Sequence, residues 1–432
     1  MEERLFTRIT ASAAIFLILI CNVTSTATAQ AVDVTRVISS PKFKAAQAFI
    51  DKDHDRFVQE IIQLTEIPAP PFKEQMRGRA YLEMLRQHGL TNVEMDAEGN
   101  VMGIRKGLGT GPLVAIAAHL DTVFPEGTNV KVKRMGTMLS APGVGDDSRG
   151  LAVLLAMLRA MDNAKIQTAS DILFVGDVGE EGPGDLRGMK YLFQTGPYKD
   201  KIKMFVSLDP AGPGNDITNG AVGSKRYRVT FKGPGGHSYG AFGIVNPAFA
   251  LGNAISKFAK ITVPFTPRTT FNVGLIGGGT SVNSIPYEAW MEVDLRSESS
   301  DELKKLEDAF IRIMREAADD ENSVRSTAQG RIEVETKLIG DRPSGAISIT
   351  APIVQTAAAV MKALGMTPVY SNSSTDANIP ISMGIPAITL DSGGRGGRPH
   401  ALDEWIDVEK TASAKGTSIA LGILLSLAGM IP

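Results

Sequence analysis

The chain of 432 residues contains one cysteine, Cys21, and only five histidines. It also lacks an excess of charge of either sign, since its formal net charge is −2. A nearly neutral chain gives no electrostatic reason to expect nucleic acid or a membrane surface as a partner. With a single cysteine, no disulfide scaffold or thiolate metal cluster can form. Any metal must therefore be held by His, Asp and Glu side chains.

The N-terminus has the layout of a secretory signal. Basic residues precede an apolar run over residues 11–21, and small residues follow up to Ala29. This order predicts a cleaved signal peptide over residues 1–29, and hence a secreted or periplasmic protein. A membrane anchor is the alternative, but it needs about 20 apolar residues, so we expect no stable membrane insertion after cleavage. Whether Cys21 is lipidated stays open.

From residue 40 onward, the hydrophobic pattern predicts an α/β protein with a smaller insert. The apolar runs "GPLVAIAAHLD", "DILFVGDVGEE" and "KMFVSLDP" alternate with helical segments, which predicts a sheet flanked by helices. After Gly223 the order becomes β-α-β-β-α-β, a unit with its own core. We therefore predict a catalytic domain in two parts, residues 40–222 and 345–432, interrupted by a lid or dimerisation domain over residues 223–344.

The five histidines divide into two groups. His54 and His88 lie on polar helix faces and are interpreted as solvated surface residues. His119, His237 and His400 lie beside glycine, aspartate or proline at strand ends or in loops. In open α/β sheets, functional sites form at such strand ends.

Carboxylates also cluster at the predicted strand ends. The candidate acids are Asp121, Asp146, Asp147, Glu180, Glu181 and Asp209. Residues two apart on a strand point the same way, so Asp121 can support His119. Local hydrogen bonding, a helix cap or a solvated acidic loop would explain individual members of this set. Taken together, two imidazoles and three carboxylates come close to neutralising two divalent cations and a bound hydroxide.

Five short motifs carry a family resemblance. In this order and spacing, "HLDTV", "GDDSRG", "GEEGPGDLRG", "SLD" and "RPHALDEW" resemble the co-catalytic di-zinc metallopeptidases, which include glutamate carboxypeptidase, tripeptide aminopeptidase (peptidase T) and aminoacylase. The similarity runs from about Ser40 to the C-terminus. The segments "TEIPAPPFKE" and "DAEGNVMG" look most like the peptidase T-like branch.

The resemblance implies a zinc-exopeptidase-like fold and a set of residue roles. It makes His119 and Asp209 ligands of one zinc ion, Glu181 and His400 ligands of the other, and Asp146 the bridge between them. Asp121 would orient His119, and Glu180 would be the general base for a zinc-activated water. The peptide bond after the bridging aspartate would be cis.

The insert would be the family's βαββαβ lid, often used for dimerisation. The resemblance implies that His237 stabilises the oxyanion, sometimes from the partner subunit, and that Asn283 and Arg296 bind the substrate's carboxylate or carbonyl. Arg296 would alternatively be a strand residue paired with an acid. The resemblance therefore implies that a homodimer can form through the lid, while the sequence leaves the oligomeric state open.

The sequence thus predicts a metal-dependent exopeptidase acting on short peptides. Two alternatives stay open: a deacylase acting on N-acyl amino acids, and a periplasmic peptide-binding protein whose catalysis has lapsed. Because His and carboxylate ligands also suit other cations, Mn²⁺ or Co²⁺ can replace Zn²⁺ in this prediction. The motifs do not distinguish an aminopeptidase from a carboxypeptidase.

Overall fold

The computed structural model describes residues 34–431. The predicted signal peptide and Cys21 lie outside this range. Within it, no helix combines the length and apolar character needed to cross a bilayer.

The helices and strands follow one another in the alternating order that the hydrophobic pattern predicts. The α-helices are α1 (Val34–Ser39), α2 (Pro41–Lys52), α3 (His54–Thr65), α4 (Gln75–Arg86), α5 (Ser148–Asn163), α6 (Arg187–Lys190), α7 (Pro247–Phe258), α8 (Ser300–Val324), α9 (Pro352–Ala363), α10 (Asn378–Ser382) and α11 (Lys410–Leu427). The strands are β1 (Thr91–Met95), β2 (Val101–Arg105), β3 (Leu113–His119), β4 (Lys133–Met135), β5 (Met138–Ser140), β6 (Gln167–Thr168), β7 (Ile172–Asp177), β8 (Ile202–Leu208), β9 (Asp216–Ala221), β10 (Gly223–Lys232), β11 (Gly236–His237), β12 (Thr269–Gly278), β13 (Ser284–Ile285), β14 (Glu288–Ser297), β15 (Glu333–Arg342), β16 (Gly345–Ala346), β17 (Val369–Ser373), β18 (Ala387–Leu390), β19 (Arg395–Gly397), β20 (Trp405–Asp407) and β21 (Met430–Ile431).

A large mixed sheet forms the centre of the molecule. Its strand order is β1-β2-β7-β3-β8-β18-β9-β16, with β17 also paired to β9. Strands β7, β3, β8 and β18 are mutually parallel, and the pairs at both ends of this group are antiparallel. Because β3, β7 and β8 are covered on both faces, they read as continuous apolar runs. Their carboxyl ends meet at one edge of the sheet.

A second sheet with its own core makes up the insert. Its order is β12-β14-β10-β15, all antiparallel, and α7 and α8 pack on one face. Alternation places Val229 and Phe231 of β10, and Met291 of β14, in the core beneath these helices. The other face carries Arg226 and Arg228 of β10. The predicted fold class, a mixed sheet flanked by helices and interrupted by a smaller βαββαβ unit, is therefore confirmed, while the exact domain limits stay a prediction.

Candidate metal centre

Three neighbouring parallel strands deliver the candidate residues to one edge of the large sheet. His119 is the last residue of β3, and Asp209 directly follows β8. Glu180 and Glu181 follow β7, which pairs with β3 on the side opposite β8. The chain places β7 on one side of β3 and then β8 on the other side, so the strand order reverses at β3. Ligands bind at such reversals in open α/β sheets.

One carboxylate lies between the two histidines. His119 Nε2 is 2.9 Å from Asp146 Oδ1 and 3.9 Å from Asp209 Oδ1. His400 Nε2 is 3.1 Å from both Asp146 Oδ2 and Glu181 Oε1. One oxygen of Asp146 thus faces His119 and Asp209, and the other faces His400 and Glu181. The structure brings together all five side chains that the sequence suggests as metal ligands, and their roles remain a proposal.

The Asp146–Asp147 peptide bond is cis, as the resemblance implies. Asp147 caps α5, because its Oδ1 accepts from the Gly150 N–H at 3.0 Å. Its Oδ2 accepts from the backbone N–H of His119 at 3.2 Å. This buried cap therefore ties the start of α5 to the end of β3.

Asp121 contacts its neighbours differently from the predicted arrangement. His119 Nδ1 lies 3.0 Å from the backbone oxygen of Asp121 and 3.7 Å from its Oδ1. The Asp121 carboxylate instead accepts the backbone N–H groups of Glu180 and Glu181, at 3.0 and 2.8 Å. One residue thus orients the imidazole through its carbonyl and the two glutamates through its side chain.

Glu180 has a cationic partner that the sequence does not indicate. Arg342, at the end of β15, donates from Nη1 to Glu180 Oε1 at 3.1 Å and from Nη2 to the Glu180 backbone oxygen. Its side chain is 5% exposed, so little solvent screens this pair. Arg342 also donates to Ser374 Oγ at 3.2 Å. A strand of the insert therefore reaches the predicted general base.

Glu404 fixes the loop that carries Asp146. Its buried carboxylate accepts three backbone N–H groups, from Gly143 at 2.8 Å, Gly145 at 2.7 Å and Asp146 at 2.9 Å. Burial raises the pKa of Glu404 to about 7, against the lowering effect of these bonds. Nothing in "HALDEW" reveals this role, because the partner loop is more than 250 residues earlier in the chain.

We expect Glu404→Ala to weaken metal binding by about 10- to 100-fold, because removing a residue that orients a metal ligand lowers metal affinity by about this factor. Metal content by mass spectrometry and titration calorimetry would measure the change. The matched control is Glu409→Ala, which removes an exposed carboxylate that accepts backbone N–H groups at the start of α11. An equal loss in both variants would show that the Glu404 effect is not local.

The site contains more buried acid than the described residues around it balance. Burial raises the pKa of Glu181 to about 8 and that of Asp209 to about 6. Burial also works to lower the pKa of His119, but hydrogen bonds with Asp146 and Asp209 carry it well above its usual value. Hydrogen bonds to Asp146 and Glu181 raise the pKa of His400 to about 11. Cations at this position would offset the repulsion between the buried acids.

The three predicted residues of the insert lie in two places. Arg296 lines a cleft of about 360 Å³ together with Asp146, Glu180 and His400. His237 and Asn283 do not line this cleft. They lie in an exposed part of the insert, where Ser238 N–H donates to Asn283 O at 2.9 Å and His237 Nδ1 accepts from two backbone N–H groups.

The remaining histidines are structural. His54 Nε2 lies 2.9 Å from Val408 O, and His88 Nδ1 lies 3.4 Å from Asp162 Oδ2. Their side chains are 13% and 6% exposed, so the interpretation of both as solvated surface residues was wrong. Each is held by a partner from a distant segment.

A centre of clustered histidines and carboxylates at the strand ends of an α/β fold, with a second domain over it, defines a metallohydrolase. Residues 115–426 match the peptidase family M20/M25/M40. The chain belongs to this family, and it is a hydrolase of the metallopeptidase type.

Relatives and solved structures agree with this assignment. The chain is 24% identical to succinyl-diaminopimelate desuccinylase of Corynebacterium glutamicum, over 81% of this chain and 91% of that protein. It is 23% identical to carboxypeptidase G2 of a Pseudomonas species, over 51% of each chain. The aminopeptidase PepT of Bacillus cereus has the same fold, with a TM-score of 0.69 and 22% identity over 87% of this chain and 99% of the other. A dinuclear metal-binding peptidase of Bacillus subtilis gives a TM-score of 0.63 at 18% identity, over 88% and 99% of the two chains.

Proposed function

We propose that this protein hydrolyses the terminal peptide bond of short peptides, using two zinc ions. The observation that carries the proposal is the position of Asp146, whose two oxygens separate His119 and Asp209 from Glu181 and His400. Glu180 lines the same cleft and is the only acid among these lining residues not used as a ligand.

The residues fit a dinuclear metal centre. Three sets of candidate donor atoms each lie within 4.8 Å of one another. Two of them share Asp146, one with His119 and Asp209 and the other with Glu181 and His400, and the third combines His119 and Glu181 with the proposed base Glu180. Nitrogen and carboxylate donors of this kind suit zinc, and also manganese or cobalt. When bound, such ions polarise a carbonyl oxygen and lower the pKa of a water molecule. The raised pKa values of the buried acids support a demand for positive charge here.

The chain's own residues then position the substrate and move a proton. Glu180 holds its Oε1 against Arg342, which leaves Oε2 to take a proton from the attacking water and pass it to the leaving amine. Asp121 accepts the backbone N–H of Glu180 at 3.0 Å, which holds the backbone of this residue beside the cleft. Since the reaction is a direct attack by water, no side chain of this protein needs to form a covalent intermediate.

Removal of the metal is the first test. We expect the mature chain to cleave di- and tripeptides with added zinc and to lose this activity with a chelator. The melting temperature should also fall, because the buried acids repel one another once the bound ions no longer stabilise the native state. Amino acid release and calorimetry would measure both effects. Activity that survives complete removal of metal would contradict the proposal.

Two other activities are tested by the same panel. One curated relative is named a desuccinylase, which favours adding N-acyl amino acids to the peptides. Preferential cleavage of these would make the protein a deacylase with the same centre. Ligand binding without turnover of any substrate would instead support a lapsed, peptide-binding protein.

We also propose that the protein works as a homodimer through its insert. Strand β12 is an edge of the small sheet and carries Leu275 and Ile276, which are 56% and 61% exposed. Edge strands with exposed apolar side chains favour pairing with another chain. His237 and Asn283 are exposed and do not line the cleft of their own subunit. This position lets them contact the cleft of a second subunit.

A further inference from the structure

The segment that carries Asp209 is held by the chain that follows β18. The backbone N–H of Asp209 donates to Leu390 O at 2.8 Å, and the Ser392 N–H donates to Pro210 O at 2.9 Å. The hydroxyl of Ser392 donates to the same Pro210 oxygen at 3.3 Å. Asp391 lies between these two attachments in the chain. The position of Asp209 therefore depends on how the segment after β18 is fixed.

Asp391 closes the loop that follows β8. Its Oδ1 accepts the Gly214 N–H at 2.6 Å, and its Oδ2 accepts the N–H groups of Asn215 and Asp216, both at 3.1 Å. A fourth N–H, from Gly393, donates to Oδ1 at 3.0 Å. Burial raises the pKa of Asp391 against the lowering effect of these bonds. A nearby positive charge would therefore help to keep this acceptor ionised.

Arg149 supplies a positive charge beside this loop. It is the second residue of α5, and its side chain is fully buried. Burial lowers its pKa to about 10, and the charge of Asp391 is the strongest influence in the opposite direction. Its Nε donates to Ser392 O at 3.3 Å. The guanidinium thus holds the backbone next to Asp391 and offsets its charge.

The guanidinium of Arg149 is closely packed but incompletely hydrogen-bonded. A Cβ at Gly394 would lie only 2.7 Å from Nη2, and the ring centroid of Phe57 lies 5.2 Å from Cζ. Nη1 and Nη2 are buried and have no hydrogen-bond partner among the described residues. Burying a cation in this way costs free energy. Stability alone would therefore favour an apolar side chain here, which indicates that the charge serves the neighbouring site.

We propose that Arg149 and Asp391 are positioning residues for Asp209. They set the affinity of the ion that Asp209 and His119 hold, and the inference therefore rests on the dinuclear centre of the proposed function. The second ion depends less on this pair. Its ligand His400 lies beyond β19, and the pairing of β19 with β20 fixes that part of the loop separately.

Zinc titration of two single-ion proteins tests this selectivity. His400→Ala removes a ligand of the second ion, and Asp209→Ala removes a ligand of the first. Each protein is loaded to one ion per chain, as measured by mass spectrometry. Adding Arg149→Met to His400→Ala should weaken zinc binding by about 10- to 100-fold, as for other residues that orient a ligand. Adding it to Asp209→Ala should change the affinity by less than about 2-fold. Equal weakening in both proteins would overturn the proposal.

A second buried arginine of α5 provides the matched control. Arg159 Nη1 lies 2.8 Å from both carboxylate oxygens of Glu60, and neither residue lines the cleft. Arg159→Met should lower the melting temperature of the metal-free protein and leave the zinc-induced rise unchanged. Arg149→Met should reduce that rise, because zinc then binds the native state less tightly. Arg149→Lys should recover part of it. An unchanged rise in Arg149→Met would reveal a purely structural role and contradict the proposal.

The partner acid gives an independent test. Asp391→Asn keeps one acceptor oxygen and loses the charge, so it should weaken the same ion. Because both residues act through one loop, the double variant with Arg149→Met should bind zinc no more weakly than the weaker-binding single variant. Fully additive losses would show that the two residues act independently and would refute the pair.

These titrations need no substrate, so they separate the inference from the proposed hydrolysis. A wild type that binds two zinc ions and cleaves no peptide would contradict the hydrolysis alone. A wild type that binds two ions and cleaves peptides, with zinc affinity in His400→Ala unaffected by Arg149→Met, would contradict the positioning role alone.

Discussion

Replacing Glu180 with glutamine is expected to lower kcat by about 10²- to 10⁴-fold, the range that a positioned general base contributes. The amide keeps an oxygen for the contact with Arg342 but has no basic site for a proton. Because Glu180 is not one of the proposed ligands, both metal ions should still bind. Steady-state kinetics and metal analysis of the same preparation would measure the two effects together.

The control for this variant is another buried glutamate with an arginine partner. Glu60 is paired with Arg159, whose Nη1 lies 2.8 Å from both carboxylate oxygens, and neither residue lines the cleft. Glu60→Gln should therefore alter stability and leave kcat unchanged. If Glu180→Gln retains kcat with both metals bound, Glu180 is not the base.

Mixing two inactive variants is expected to restore activity if the subunits share their sites. His237→Ala should be nearly inactive, since loss of one oxyanion donor costs about 10²- to 10³-fold in kcat. In a mixed dimer with Glu180→Gln, one site would combine an intact Glu180 with the intact His237 of the other subunit. Each mixed dimer has one working site of two, so the purified mixed dimer should show about half of the wild-type activity.

The experiment uses the two variants co-expressed with different tags, and the mixed species is purified over both. Light scattering gives the mass of the wild type in parallel. A monomer in solution, or mixed dimers without activity, would contradict the shared site. The control variant is His88→Ala. His88 contacts Asp162 away from the cleft, so its replacement should leave activity unchanged.

The clustering of the candidate ligands could be predicted from the sequence because these residues follow recognisable strands. His119 and Asp209 end apolar runs that form adjacent parallel strands, and such strands end at the same edge. The acidic pair after β7 follows the same rule. The fold class could be predicted for a related reason, since the change from continuous to alternating hydrophobicity at Gly223 marks the second sheet.

The supporting residues could not be predicted, because their partners are distant in the chain. Arg342 is 162 residues from Glu180, and Glu404 is 258 residues from Asp146. Alternation in "KRYRVTF" places Arg226 and Arg228 on one face of β10, but only the structure shows that Arg226 lines the cleft and Arg228 does not. The spacing of His119 and Asp121 suggested a contact between them, and it could not show that the carboxylate binds the backbone after β7.

Because Glu404 follows Asp146 by 258 residues, the loop that carries Asp146 is fixed only after both segments have been synthesised. Asp146 emerges from the ribosome long before His400 and Glu404, and domains usually begin to fold from the N-terminus. Until Glu404 is added, the Gly143, Gly145 and Asp146 N–H groups lack their acceptor. A chain folded only as far as Asp209 therefore lacks both His400 and the acceptor that fixes the Asp146 loop.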